Sequence, residues 1–310
     1  MTGTTEEERP LRGMIAAFCA CYDDAGNISP IRTQTLARHL MVKGVQGLYV
    51  NGMAGECLYL SMDERKKVLE NVMTAVNGNV PVIAQVAANS LRDSAQLAEH
   101  AQALRVDAIA ALPPIGACPP EHAISKYWND ISAAAKDTDL VLYAASQMPA
   151  GNLPLTLFEE MLKNPRVKAL FMSALGAQEI RAFKDVSRGR IAVFGGDEEQ
   201  LIPDRVMGAD GGVYGMMAVA PSLFLKADRL LDSGSVKQAK ELQYDIGRIK
   251  DALCAAKGDM PAMMKEMLRR KGVHCGGVRA PLYPVQAEDA AQIEVCLDLI
   301  SRAEQKALGM

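Results

Sequence analysis

A (β/α)8 barrel followed by a C-terminal helical extension is the fold this α/β chain predicts, on three observations. Short apolar, β-branched runs alternate with helix-period segments every 20–35 residues or roughly so, the pattern of a parallel sheet covered by helices. Eight such runs can be found, and eight parallel strands close a barrel. After Ser233 the alternation stops and helices follow without strands. A chain of 310 residues that is 49% hydrophobic accommodates one barrel of about 200–250 residues and an addition. The barrel is therefore expected over residues 11–232 and a three-helix extension over 233–310.

The strand candidates are residues 14–19, 47–51, 82–87, 107–112, 140–143, 168–172, 191–195 and 212–214. Each is largely apolar, as a strand covered on both faces should be. Helix starts are readable from their caps. Ser61 and Glu64 have the S-x-x-E spacing of a capping box ahead of a helix over 65–75. Ser90 stands before a helix over 91–103, and Pro154 and Pro221 sit near helix starts, where proline is tolerated. Asp197, Glu198 and Glu199 predict an acidic first helical turn after Gly195-Gly196, with Asp197 as a good N-cap. In the extension, helices are expected over 235–257, 261–271 and 286–306, with an irregular joint at 276–284.

Composition excludes several function classes. Net charge is −3 and aromatic content 5%, so there is neither a basic field for phosphate backbones nor a set of stacking platforms for bases. Nucleic acid is not an expected partner. Met1–Pro10 is polar and acidic, without the basic and apolar regions of a secretory signal. No apolar run is long enough for a bilayer, so no membrane partner is expected. Seven cysteines at irregular spacing argue against a disulfide framework, and a cytoplasmic location is the simplest expectation.

Several segments carry a specific resemblance. After the second strand stands Asn51-Gly52-Met53-Ala54-Gly55-Glu56, then Leu58-Tyr59-Leu60-Ser61-Met62-Asp63-Glu64-Arg65. Tyr143 ends the fifth strand. The sixth reads Val167-Lys168-Ala169-Leu170-Phe171, the seventh leads into Gly195-Gly196-Asp197-Glu198, and the joint contains Arg279-Ala280-Pro281-Leu282-Tyr283-Pro284. On these residues, and over nearly its whole length, the chain resembles the dihydrodipicolinate synthase / N-acetylneuraminate lyase family. That resemblance implies the barrel with its helical extension. It also implies a dimer or tetramer, and a reaction through a Schiff base between a 2-oxo acid and a lysine on strand six.

The lysine is where the resemblance breaks. The family pattern is V-x-A-L-K or V-x-G-I-K, and Phe171 stands at the lysine position. A Schiff base needs an amine, which phenylalanine cannot supply. Lys168 is three residues earlier, hence on the opposite face of the strand and about 10 Å toward the wrong end. The other expected strand ends offer no lysine, and the remaining lysines are expected on helix surfaces, in loops or in the extension. The family's imine reaction is therefore not expected here.

The other family positions each admit two readings. In the Gly52–Glu56 turn the family holds a substrate carboxylate with hydroxyl residues and their amides. Met53 and Ala54 offer only amides, which either meet an anion or simply form a tight turn. Tyr143 matches the family tyrosine at the Schiff base. An unassisted tyrosine titrates near pH ~10, so it acts either as a hydrogen-bond donor or as a ring plugging the mouth. Gly195, Asp197 and Glu198 resemble the sugar-contacting G-x-D-E of sialic-acid lyases, against the capping role given above. With Phe171, Met172, Met216 and Met217 the mouth is expected to be soft and apolar, either filled or open to an apolar ligand.

No cofactor and no metal are expected. Cys19, Cys21, Cys57 and Cys118 fall near strand ends, but their spacing matches no ligand signature, and small buried residues are the plainer reading. His39, His100, His122 and His274 do not converge. Three functions remain open. The first is a family member that binds a small carboxylate or sugar acid without cleaving it. The second is a carbon–carbon or carbon–oxygen lyase of lysine-independent mechanism using Tyr143. The third is a non-catalytic partner subunit of an active homologue.

Overall fold

The computed structural model describes residues 11–310. The reading of Met1–Pro10 as a non-signal leader lies outside the described residues. The eight strands are β1 Gly13–Ala17, β2 Leu48–Val50, β3 Val82–Gln85, β4 Ala108–Ala111, β5 Asp139–Ala145, β6 Val167–Ser173, β7 Ala192–Gly195 and β8 Gly211–Tyr214. They form a closed parallel barrel in sequence order, β8 returning to β1 with Gly13 opposite Gly211 and Ala16 opposite Tyr214. Closure depends on glycine at that seam. A Cβ on Gly211 would lie 2.1 Å from the Gly13 carbonyl oxygen, so no side chain fits.

Between the strands run α1 Pro30–Val42, α2 Met62–Val76, α3 Leu91–Ala103, α4 Glu121–Ala134, α5 Leu155–Met161, α6 Ala177–Ser187, α7 Leu201–Val206 and α8 Pro221–Asp232. The capping box forms as predicted. Ser61 Oγ accepts from the Glu64 N–H at 3.3 Å, and the Ser61 N–H donates to Glu64 Oε2 at 2.8 Å. Ser90 caps α3 through the Asp93 N–H. One local expectation fails. Residues 197–200 are a turn, and α7 begins at Leu201 behind Gln200. The acidic side chains are drawn elsewhere: Asp197 Oδ1 accepts from the Glu199 N–H and binds Lys250, and Glu198 reaches the end of β8. Tertiary partners outcompete a helix start.

The extension holds α9 Val236–Cys254, α10 Met260–Arg270 and α11 Ala290–Leu308, the last preceded by a 3-10 turn at Ala287–Asp289. α9 and α11 pack on each other and on α8, whereas α10 returns to the 3-10 turn Met216–Ala218 that follows β8. This return brings the extension to the C-terminal ends of the strands, the face where barrels of this architecture place their chemistry. No helix among the described residues is long and apolar enough to cross a membrane.

Candidate functional site

Three rings occupy the interior of the barrel at its mouth. Phe171 lies in β6 opposite Tyr143 of β5 and Phe194 of β7. Its ring stacks on that of Tyr143 with centroids 4.4 Å apart and planes at 23°. The Tyr49 ring, from β2, meets Phe171 at 5.3 Å and Tyr143 at 6.0 Å, edge-on to both. β2 and β6 stand on opposite sides of the ring of strands, so their side chains touch only by crossing the lumen. Phe171, Tyr143 and Tyr49 are all buried, as are Met172, Met216 and Met217. The apolar mouth is filled here by aromatic rings.

Glycine admits the plug. A Cβ on Gly196 would stand 2.3 Å from the Phe171 ring and 3.0 Å from the Met172 carbonyl oxygen, so the chain after β7 passes flush against the ring. Burial pushes the Tyr143 hydroxyl up to about 12, with the Ser173 hydroxyl as its polar neighbour. A phenol so placed is a poor base at neutral pH.

Lys168 is the only lysine in a strand of the described barrel, and it is half-buried where its strand neighbours Val167 and Ala169 are fully covered. A different lysine, one of those expected in the extension, is buried near the mouth. Lys265, on α10, donates to Glu56 Oε1 at 2.5 Å and to the Gly277 carbonyl at 2.7 Å, and its Nζ stands 4.5 Å from the centre of the Tyr22 ring. Both charged groups are 1% exposed. Glu56 Oε2 accepts from the Tyr22 hydroxyl at 3.0 Å and from the Arg279 N–H at 2.8 Å. The Arg279 guanidinium continues to Glu64 Oε2, the Tyr59 carbonyl and the Gly26 carbonyl. With an acceptor, a carbonyl and a ring face around it, the Lys265 amine is engaged as a structural cation rather than poised as a nucleophile.

Sequence reasoning found the glycine–glutamate turn and the Arg279 joint but did not join them. Their common signal is charge: Glu56 follows a strand that is otherwise buried, and such a carboxylate needs a partner. Glu56 takes left-handed backbone angles, φ 58°, ending the 3-10 turn Met53–Gly55. Gly52 begins this turn, with a Cβ position 2.5 Å from the Tyr49 ring. The first hydrogen bond of the turn is from the Gly55 N–H to the Gly52 carbonyl, so the Met53 and Ala54 amides precede it. Met53 is 43% exposed at the rim.

The Gly195–Glu198 segment is gripped from two sides. Glu198 Oε1 accepts the N–H groups of Gly215 and Met216, at 3.0 and 3.2 Å, and burial raises its carboxyl. From α9, Lys250 Nζ binds Asp197 Oδ1 at 2.8 Å and Glu199 Oε2 at 2.9 Å, while Gln243 Nε2 donates to the Glu198 carbonyl at 2.7 Å. Asp197 and Glu198 thus already have protein partners. Behind the segment, Asp204 of α7 presents an Oδ1 with no hydrogen-bond partner, and desolvation, then the nearby Asp197 charge, raises its carboxyl to about 8.

Among the described residues no cluster of His, Cys, Asp and Glu is arranged to hold a metal ion. The cysteines near the strand ends divide: Cys19, Cys21 and Cys57 are buried and Cys118 is exposed. His122 lies in the first turn of α4 and is exposed.

A curated relative from Mediterraneibacter gnavus, named N-acetylneuraminate lyase, is 43% identical over 298 residues, covering 96% of this chain and 95% of the relative. The solved wild-type sialic acid aldolase of Ruminococcus gnavus superposes with a TM-score of 0.94 at 43% identity, covering 95% of this chain and 98% of that one. A second structure of that aldolase, described as its catalytic lysine mutant, has a TM-score of 0.94 at 42% identity and covers 97% and 99% of the two chains. The model of the dihydrodipicolinate synthetase family matches residues 10–300. With the family model matched over residues 10–300 and the fold shared with these relatives over nearly the whole chain, the chain belongs to the dihydrodipicolinate synthetase family.

Proposed function

We propose that this protein is a sialic-acid-lyase-like barrel that does not run the imine aldol reaction and binds a small carboxylate or sugar acid without cleaving it. The observation that carries the proposal is the Phe171 ring, stacked 4.4 Å from Tyr143 in the barrel interior. An imine requires an amine that reaches the substrate carbonyl. Phe171 has none, and Lys265 is bound up with Glu56, Gly277 and Tyr22. The relatives named as lyases support the ligand class, and a relative described by its catalytic lysine supports reading the loss of a strand-six amine as a loss of chemistry. The ligand sits on the rim above the rings, with its carboxylate toward the Met53 and Ala54 amides.

A lysine-independent lyase using Tyr143 is the weaker reading. The hydroxyl is buried and its proton is held more tightly than in a free phenol. The deciding experiment is incubation with pyruvate and sodium borohydride followed by intact mass measurement, with a lysine-bearing family member as positive control. No pyruvyl adduct is expected. An adduct on any lysine overturns the proposal. Thermal denaturation with N-acetylneuraminate tests the second half: a raised midpoint without release of pyruvate is expected, and pyruvate release refutes it.

A further inference from the structure

Three buried thiols gather beside the Glu56–Lys265 pair, outside the ring-filled lumen. Cys19 and Cys21 follow β1, and Cys275 lies in the joint before α11; none exceeds 1% exposure. The backbone brings the two segments together, with the Tyr22 N–H donating to the Cys275 carbonyl at 2.9 Å. The Cys21 and Cys275 side chains are neighbours across this seam, and the Cys21 thiol lies 3.6 Å from the Cys19 carbonyl. Next to them a cavity of about 410 Å3 opens to solvent, walled by Tyr22, Asp23, Gly276, Gly277 and Arg279, which include the chain neighbours of both cysteines.

Nothing in the proposed function uses these thiols. A buried cysteine among apolar groups is inert, whereas one beside a cation and a second thiol is not. Here the positive charge is supplied by Lys265, and by Arg32 at longer reach. The Cys21 thiol, as donor, and then these cations hold the Cys275 thiol below its ordinary range, while the same contact and burial push Cys21 up. Burial, against the pull of Lys265, pushes Cys19 to about 12, which makes it a bystander. The pair therefore divides into a nucleophile, Cys275, and a proton-bearing partner, Cys21.

We propose that Cys21 and Cys275 are a modification site, a dithiol that a small hydroperoxide converts into a disulfide joining the loop after β1 to the C-terminal joint. The Cys275 thiolate attacks the peroxide. A sulfur–oxygen bond forms, the oxygen–oxygen bond breaks, and the departing hydroxide (an alkoxide, for an alkyl hydroperoxide) takes up the proton that Cys275 released on ionising. Cys21, giving up its proton, then attacks the sulfenic sulfur; a disulfide forms and water leaves. Two thiols are oxidised by two electrons and one peroxide is reduced to two waters, or to water and an alcohol.

The full chain, folded and reduced, is titrated with hydrogen peroxide, quenched with an alkylating agent and mapped by mass spectrometry. A mass lower by two hydrogens and a linked Cys21–Cys275 peptide pair are expected before the exposed Cys118 and Cys254 are modified. In C21S, Cys275 is expected to stop at a sulfenic acid trapped by a 1,3-diketone, and C19S is expected to behave as wild type. Oxidation of Cys118 and Cys254 with Cys275 still reduced overturns the proposal, as does a Cys21–Cys275 link that forms only in denaturant. Wild-type mapping decides the matter even where a variant fails to fold.

Discussion

Phe171 is a single side chain that fills the mouth and, in the proposed reading, also removes the family's imine chemistry. Its ring contributes area removed from water and a stacked contact with Tyr143, the latter worth about 0.5–1.5 kcal/mol. Substituting F171A is expected to cost about 3–5 kcal/mol of stability, measured by chemical denaturation, because three rings lose a common contact. Substituting F171K tests the chemistry instead. It places an amine at that position of strand six, and a pyruvate adduct trapped by borohydride is expected in the variant and not in wild type. Asp204 gives a pH prediction at the same scale. Its carboxyl, raised to about 8 in the fold against an ordinary 3.8, stays protonated while the unfolded chain ionises. Its contribution to stability is therefore complete below about pH 4 and is lost as the pH rises through about 8. D204N is expected to gain on wild type across that window, by about 1–3 kcal/mol at its end, read from melting curves at several pH values. A difference that is flat with pH would show that Asp204 is ionised in the fold.

At the scale of elements, the structure is a set of handshakes between loops that the sequence lists far apart. Glu56, ending the turn after β2, binds Lys265 of α10 and the Arg279 amide of the joint. Breaking one side of a buried ion pair leaves an uncompensated charge, so K265M is expected to destabilise by about 3–5 kcal/mol. The double variant E56Q/K265M is expected to recover part of that loss. If the double is no better than the single, the two residues are not coupled. The chain after β7 and the ring on β6 form a second handshake, since Gly196 leaves room only for Phe171 as it stands. G196A is expected to cost about 1–3 kcal/mol through overpacking, and much less in an F171A background, where the ring is gone.

Over the whole molecule, the extension is a working part of the barrel and not a separate unit. α9 grips the Gly195–Glu198 segment through Lys250 and Gln243, and α10 supplies the cation for Glu56. A chain ending at residue 232 would leave Glu56 without Lys265 and Asp197 without Lys250. That truncation is expected to be insoluble or molten, and the full chain to unfold in one calorimetric transition. Two resolved transitions would show that barrel and extension fold independently. The Cys21–Cys275 contact lies on the same seam, so oxidation there would lock the joint to the barrel.

Local pattern determined the architecture. Apolar runs separated by helix-period segments specify a parallel barrel, and Ser61, Ser90 and Pro221 mark helix starts because caps act within one turn. That a phenylalanine, Phe171, stands near the end of the sixth strand was equally legible, since strand position and residue type are both local facts. Strand ends shifted by one or two residues, and Asp197 and Glu198 left their expected helix start, because ladder bonds and distant partners decide where a local pattern stops. Whether the mouth is filled could not be read from the chain: Tyr49, Tyr143 and Phe171 lie on three strands, and only closure of the barrel makes them neighbours. The same holds for Glu56 with Lys265 and for Cys21 with Cys275, each pair separated by most of the sequence. Burial gives these groups their partners and their shifted acidities, and burial is a property of the folded chain alone.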